Sequence, residues 1–319
     1  MRNKLTEIIK EKLCPIPADQ QDPNYRFYYQ NYADNLLYPM NSRHQREYGE
    51  GSGGELEAKG TRPAKMASIV SSSAMTFNLL GNEQIVVKPE QIFAEGAYRV
   101  EYEKKLPTLN KRSSPANLDA YLCHTEKQEA IFCEMKMMEW LNAPPPLKDA
   151  YRHPEAYFHL EAGEVFCDLI GQLMDTCPAE QTDNYHSRFE QYDAWQMLKH
   201  ALAIYNATSL EAKEKMEKQL PGVSVAGQFK KITLANVVFE MDSNLIKEEK
   251  LRKRYQDALD REHAEADAFI KTVEKPIADL FRRYCDVDFK ILYLPVSDFA
   301  NCFYKNVKEH ELFGRYCCK

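Results

Sequence analysis

Residues 118–140 read LDAYLCHTEKQEAIFCEMKMMEW. Two short apolar runs, 118–122 and 130–137, flank the polar HTEKQE of 124–129. Each run has strand length, and the polar connection suits a hairpin turn. What needs explaining is the charge inside the runs: Asp119 in the first, Glu134 and Lys136 in the second. Strand side chains alternate between faces, so Phe132, Glu134 and Lys136 share one side. Ile131, Cys133, Met135 and Met137 share the other. Burying a carboxylate or an ammonium is costly unless it is paired or bound to a metal. Two carboxylates and a lysine at one sheet edge are therefore a candidate site for a divalent cation.

Working outward, the chain reads as a soluble α/β protein. Its 319 residues suffice for a full core, with 44% apolar and 28% charged residues and a net charge of −6. That acidity weighs against coating nucleic acid by charge alone but leaves room for a local basic groove. No run reaches the roughly eighteen apolar residues of a membrane span, and the charged N-terminus lacks an apolar signal core. The expectation is a cytoplasmic protein without a membrane. Nine scattered cysteines without a CxxC argue against a disulfide scaffold. Cys285, Cys302, Cys317 and Cys318 could bind zinc or an iron–sulfur cluster, though their spacing matches no usual pattern.

Before the hairpin, 1–13 reads as an amphipathic helix, 18–48 as an aromatic-rich segment and 49–60 as a glycine-rich loop. Helical periodicity runs through 64–80, and extended patterns follow at 84–87 and 97–103. The segment 104–117 reads as a basic, proline-punctuated loop. Its Lys104, Lys105, Lys111 and Arg112 are candidate phosphate contacts, although a solvated loop would look the same. After the hairpin, helices are expected over 161–175, 185–206 and 210–220, and strands over 231–239 and 289–295. A long charged helix is expected over 244–273, with Pro276 starting or bending another. A helical tail should close the chain. This order suggests a mixed central sheet flanked by helices. The organisation expected is an N-terminal extension and flexible loop (1–63), a core (64–240) and a C-terminal helical extension with one more strand (241–319).

Asp119 and Glu134 fall on neighbouring strands, and carboxylate oxygens suit Mg²⁺, with Mn²⁺ as a substitute. The backbone carbonyl of Met135 could add a third oxygen. Lys136 could orient the attacking water or offset charge on a phosphate in the transition state. The bland alternative is a salt bridge at a sheet edge, since ExK alone is common.

These residues carry a resemblance. Leu118-Asp119-Ala120 followed by Ile131-Phe132-Cys133-Glu134-Met135-Lys136 resembles the PD-(D/E)xK nuclease superfamily, with Asn117-Leu118-Asp119 where Pro-Asp is nominal. Together with SSSAMTFNLL before it and YDAWQMLKHALAIY after it, the hairpin is similar more narrowly to bacterial restriction-type endonucleases. The resemblance implies a restriction-endonuclease-like core over residues 64–240 with helical elaborations. It implies metal-dependent hydrolysis of DNA phosphodiester bonds in restriction, defence or repair. It makes Asp119 and Glu134 metal ligands and Lys136 the catalytic lysine. Gln196 matches a glutamine of several exonuclease-like branches, with His200 where a tyrosine is customary. An acid from the first helix is also implied, yet 64–80 offers only Ser73 and Asn78. Glu101 or Glu139 could stand in, and Glu139 could otherwise support the site from outside. A homodimer would suit double-strand cleavage. The alternative is an inactive nucleic-acid-binding or assembly protein that retains the fold.

Overall fold

The computed structural model describes residues 1–51, 54–82, 84–110, 114–175, 184–219, 229–304 and 309–316. Lys111, Arg112, Cys317 and Cys318 lie outside them. The helices are α1 (Arg2–Lys12), α2 (Ser42–Glu50), α3 (Ser72–Leu80), α4 (Leu160–Leu173), α5 (Ala194–Thr208), α6 (Leu210–Gln219), α7 (Glu249–Cys285), α8 (Val296–Asn301) and α9 (Glu309–Tyr316). The strands are β1 (Gln84–Val87), β2 (Gly96–Leu106), β3 (Ala116–His124), β4 (Glu129–Lys136), β5 (Leu147–Lys148), β6 (Asn184–Tyr185), β7 (Lys231–Val238), β8 (Asp288–Pro295) and β9 (Phe303–Tyr304).

Seven strands form one mixed sheet in the order β8-β7-β4-β3-β2-β1-β9. The hairpin read from 118–140 is its centre: β3 and β4 pair antiparallel, with Ala120 opposite Cys133 and Tyr121 opposite Phe132. On the far side of β4 the sheet turns parallel, β4 against β7 and β7 against β8. Two buried apolar clusters cover it. Ile131, Cys133, Met135 and Met137 enter one, together with Leu5, Ile9, Tyr48 and Phe77 from the N-terminal helices. Phe132 enters the other, with Trp195, Leu198 and Leu202 of α5 and Phe166 of α4. The alternation expected of β4 is therefore what splits it between two layers.

Local chemistry moves three expected boundaries. The helix of 64–80 starts only at Ser72, because Ser71 turns extended and its side chain accepts the Ala74 N–H. The helix of 185–206 starts at Ala194, where Asp193 accepts the Gln196 N–H at 3.0 Å. Tyr185 instead pairs with Leu147 in a small second sheet. The 104–117 loop is shorter than expected, since β2 runs on to Leu106 and β3 begins at Ala116.

The long charged helix does not stop before Pro276. It is continuous for 37 residues. An interior proline costs about 3 kcal/mol in an unsupported helix. Here Val273, Ile277, Leu280 and Phe281 bury around it and hold the helix together. The tail contains a strand, β9, paired with β1, as well as helices. No described helix is long and apolar enough to cross a membrane.

Candidate active site

The register of the hairpin sets the geometry. One step beyond the Ala120–Cys133 pair, Asp119 lies across from Glu134. There the backbone ladder gives way to a side chain, and Asp119 Oδ2 accepts the Met135 N–H at 2.6 Å. Glu134 and Lys136 project together towards α5. Lys136 Nζ lies 2.7 Å from Glu134 Oε1 and donates to Gln196 Oε1 at 2.5 Å. His200, one helical turn beyond Gln196, places Nε2 2.8 Å from Glu134 Oε2. The capped first turns of α5 thus hold both ends of the Glu134–Lys136 pair, and each carboxylate oxygen of the buried pair has a partner.

Sequence spacing alone did not find Glu103, which β2 places beside Asp119. It sits between the Tyr102–Ala120 and Lys104–Leu118 pairs and has φ 51°. The left-handed region is costly for a glutamate inside a strand. It redirects the strand: Tyr98, Val100 and Tyr102 pack in the first core and Leu106 in the second. Asn117 donates to the Glu103 carboxylate. Gly51 passes so close that a Cβ there would lie 2.7 Å from Glu103 Oε2.

No acid comes from the first core helix, but another buried acid lies near Glu103. Glu55, in the loop after α2, is buried and accepts from Ser73 of α3 at 2.8 Å and from Lys65 at 2.7 Å. Its charge bears on Glu103. The two candidates named from the sequence are engaged elsewhere. Glu101 is bound by Arg99 and Lys104, each at 3.0 Å. Glu139 closes the turn after β4 by accepting the Met137 and Met138 N–H groups at 2.7 and 2.9 Å.

Crowded carboxylates shift one another. Burial first, then Glu134 and Glu103, push Asp119 well above the ordinary carboxylate range, against the pull of the Met135 N–H and Lys136. Burial also raises Glu103, and Glu55 and Glu134 add to it. Burial acts the same way on Glu134, but Lys136 and His200 outweigh it and hold Glu134 low. Desolvation is the largest single effect on Lys136 and lowers it, but Glu134, Asp193 and Glu139 together outweigh it and drive Lys136 up.

Asp119, Glu134 and the Met135 carbonyl offer only oxygens, the donor set of a hard cation. Each oxygen of Glu134 has one hydrogen-bond partner here, and a carboxylate has about four lone-pair sites. Burial and mutual repulsion hold Asp119 and Glu103 towards their neutral forms, and a divalent ion would offset that repulsion and favour their ionised forms, so the residues fit one. Among the described residues no three His, Cys, Asp or Glu side chains form a closed metal cluster. An ion held here would complete its shell with water and phosphate oxygens, as Mg²⁺ commonly does.

A cleft of about 530 Å³ opens beside the pair, lined by Asn117, Gln196 and His200. Lys148 and Lys199 line it too, and neither has an ion-pair partner among the described residues. Burial lowers the Lys199 pKa while Asp193 and Glu134 oppose it. Of the expected phosphate contacts, the described Lys104 and Lys105 do not line it. Lys104 is tied to Glu101, and Lys105 donates to the Glu50 and Gly51 carbonyls. Lys199 was hidden in sequence because it lies within an apolar helix, between the two residues that touch the Glu134–Lys136 pair.

The model of a family described as "Restriction Endonuclease associating with ARP" (REase-ARP) matches residues 2–256. The chain belongs to this family. The match takes in α1 and α2 as well as the hairpin, so the N-terminal helices are part of what defines REase-ARP and not an appendage peculiar to this chain. It stops within α7, which is common to both apolar clusters. No curated protein and no solved structure matches the chain.

Proposed function

We propose that the chain hydrolyses DNA phosphodiester bonds with a divalent metal, Mg²⁺ or in its place Mn²⁺. The observation that carries this reading is Lys136, bound between Glu134 and Gln196 on the wall of a cavity of about 200 Å³ that all three line, with Asp119 across the strand fork. A salt bridge kept only for stability needs neither the crowding of Asp119 against Glu134 and Glu103 nor an opening to solvent.

Asp119, Glu134 and the Met135 carbonyl would hold the ion, which supplies Lewis-acid polarisation of the phosphate and a more acidic bound water. Gln196 and Glu134 fix the Lys136 ammonium so that it keeps one orientation on the wall of the cavity that the three residues line. There it orients the attacking water or meets the charge that grows on the phosphate oxygens. His200 holds the second oxygen of Glu134 and so fixes the rotation of that carboxylate. Lys148 and Lys199 would receive flanking phosphates. DNA as the substrate is favoured by membership of a restriction endonuclease family. A dimer would let two such sites address both strands.

The test is cleavage of plasmid, linear and single-stranded DNA by the purified chain, with and without Mg²⁺ or Mn²⁺. Metal-dependent cutting that disappears in both Asp119→Ala and Lys136→Ala is expected. Cutting that survives both changes would refute the assignment. Metal-independent DNA binding without cutting would favour a binding or assembly protein instead.

A further inference from the structure

The aromatic-rich segment after α1 divides in the fold. Tyr29 is buried, and Phe27, Tyr32 and Tyr38 pack against the first apolar cluster. These four tie the segment down. Tyr25 and Tyr28 belong to neither cluster and stay partly exposed. They sit on a tight turn that Asp22 organises. Its Oδ1 accepts the Asn24 and Tyr25 N–H groups at 2.8 and 3.0 Å, and the Tyr28 N–H donates to the Tyr25 carbonyl at 2.9 Å. The two rings meet edge to face with centroids 5.7 Å apart, and no further ring among the described residues packs on either. A second turn, closed by paired hydrogen bonds between Lys59 and Arg62, meets the first through polar contacts. Thr61 Oγ1 lies 3.3 Å from the Tyr25 hydroxyl, and Arg62 donates to the Tyr28 hydroxyl at 3.4 Å. Both phenols are held by their far ends, which fixes the rings before any ligand arrives. Packing gives no reason to hold two rings in this way outside the core.

Charge adds a second observation. Lys59 and Arg62 are exposed, and neither has an ion-pair partner among the described residues. Arg26, on the first turn, is paired with Glu7. Asp22 is engaged by backbone N–H groups and Glu55 by Ser73 and Lys65, which leaves Glu57 as the free acid of the two turns. The geometry points to a platform for an unpaired DNA strand: bases stack on Tyr25 and Tyr28, and Arg62 and Lys59 take the phosphates beside them. This rests on the nucleic-acid reading above for the identity of the polymer, and it lies outside the cleft and the Glu134–Lys136 pair. Every base has a π-face, so such stacking tolerates any sequence, and a cation beside the rings meets the strand's phosphates. A duplex keeps its base faces inside its own stack, so the platform selects the unpaired state. The second turn also ties the platform to the acids of the candidate site. Its base is closed by the Lys65 and Met66 N–H groups on the Gly54 and Glu55 carbonyls at 2.9 and 3.0 Å, and the charge of Glu55 bears on Glu103. Lys59 is separated from Glu55 by at most about 14 Å of extended chain. A strand on the platform therefore lies within a few nucleotides of those acids.

Fluorescence anisotropy of the full chain, without metal, tests this with labelled oligothymidylate, an abasic strand of the same length and a blunt duplex. Oligothymidylate should bind more tightly than the abasic strand. Tyr25→Ala and Tyr28→Ala should each weaken oligothymidylate binding by about 5- to 150-fold and leave the abasic strand and the duplex unchanged. Arg62→Gln should weaken both single strands and lower the slope of log affinity against log salt by about 0.7. Tyr28→Leu, which keeps apolar bulk without a flat face, should lose as much as the alanine variant and keeps the test open if that variant misfolds. Equal binding of oligothymidylate and the abasic strand, no binding of either, or tyrosine variants that bind oligothymidylate as the wild type does would overturn the inference. Cleavage of the duplex with Mg²⁺ is scored separately. Base-dependent strand binding without cleavage refutes only the nuclease reading, and cleavage without base-dependent binding refutes only the platform.

Discussion

Lys136→Met removes the charge that the Glu134 carboxylate is built around while keeping nearly the same length. Breaking a buried ion pair by deleting one partner costs about 3–5 kcal/mol, because the other charge stays behind. Glu134 keeps one donor, His200 at 2.8 Å, so the lower end applies. Gln196 Oε1 loses its donor as well, but it faces a cleft where water can replace it. The expected loss is about 3 kcal/mol, or roughly 4–5 °C in melting temperature for a chain of 319 residues. Two controls separate the pair from general damage. The double variant Glu134→Gln/Lys136→Met removes both charges, and should recover at least half of the loss. Mg²⁺ should stabilise Lys136→Met more than the wild type, because it replaces a missing positive charge among Asp119, Glu134 and Glu103. The measurements are urea unfolding and thermal melts with and without Mg²⁺. A Lys136→Met protein as stable as wild type, or a double variant worse than the single one, would refute the claim that this pair is buried and mutually dependent.

Other expectations are narrower. Lys148→Ala and Lys199→Ala should each weaken DNA binding across sequences and reduce the slope of log affinity against log salt by about one. Fluorescence anisotropy in a salt series reads it, and an unchanged slope removes either lysine from the phosphate path. Gly51→Ala should displace the Glu103 carboxylate, since the new Cβ would meet its Oε2 at 2.7 Å. It should reduce metal-dependent cleavage more than it lowers the melting temperature; the reverse order would assign Glu103 to structure. For Glu262, folding raises the pKa, so between the ordinary carboxylate value and about 8 the folded state holds a proton that the unfolded state has lost. Stability should therefore fall as pH rises through that window, and Glu262→Gln should flatten the fall. The groups bearing on it are Glu265 on its own helix, Lys136 of β4, Asp193 at the start of α5 and Glu240 after β7. Urea unfolding at several pH values decides it; an equal slope in both proteins would count against the shift.

The central hairpin was legible because a strand's two-residue period sorts side chains without outside help. Glu134 and Lys136 had to share a face, and a six-residue polar turn had to bring Asp119 back beside them. Helix starts were less legible. Aromatic spacing through 185–193 imitates a helix, but Asp193 competes for the first free N–H groups and sets the true beginning. Pro276 misled in the other direction, because a proline's penalty is local while the burial that offsets it comes from β8 and α5.

By itself the sequence determined a mixed α/β protein centred on β3 and β4, with an Asp, a Glu and a Lys at one strand end and a glutamine one helix away. Those features depend on short-range period and on residues close in the chain. Only the tertiary structure decided what surrounds them. Glu55 bears on Glu103 by its charge, Glu103 comes beside Asp119 through its own left-handed conformation inside a strand, and His200 reaches Glu134 through the docking of α5. Lys199 and Glu262 face solvent-accessible space instead of partners because helices far apart in sequence pack around the same sheet edge. Charge becomes informative only when burial removes the water that would otherwise screen it, and burial is a property of the assembled layers.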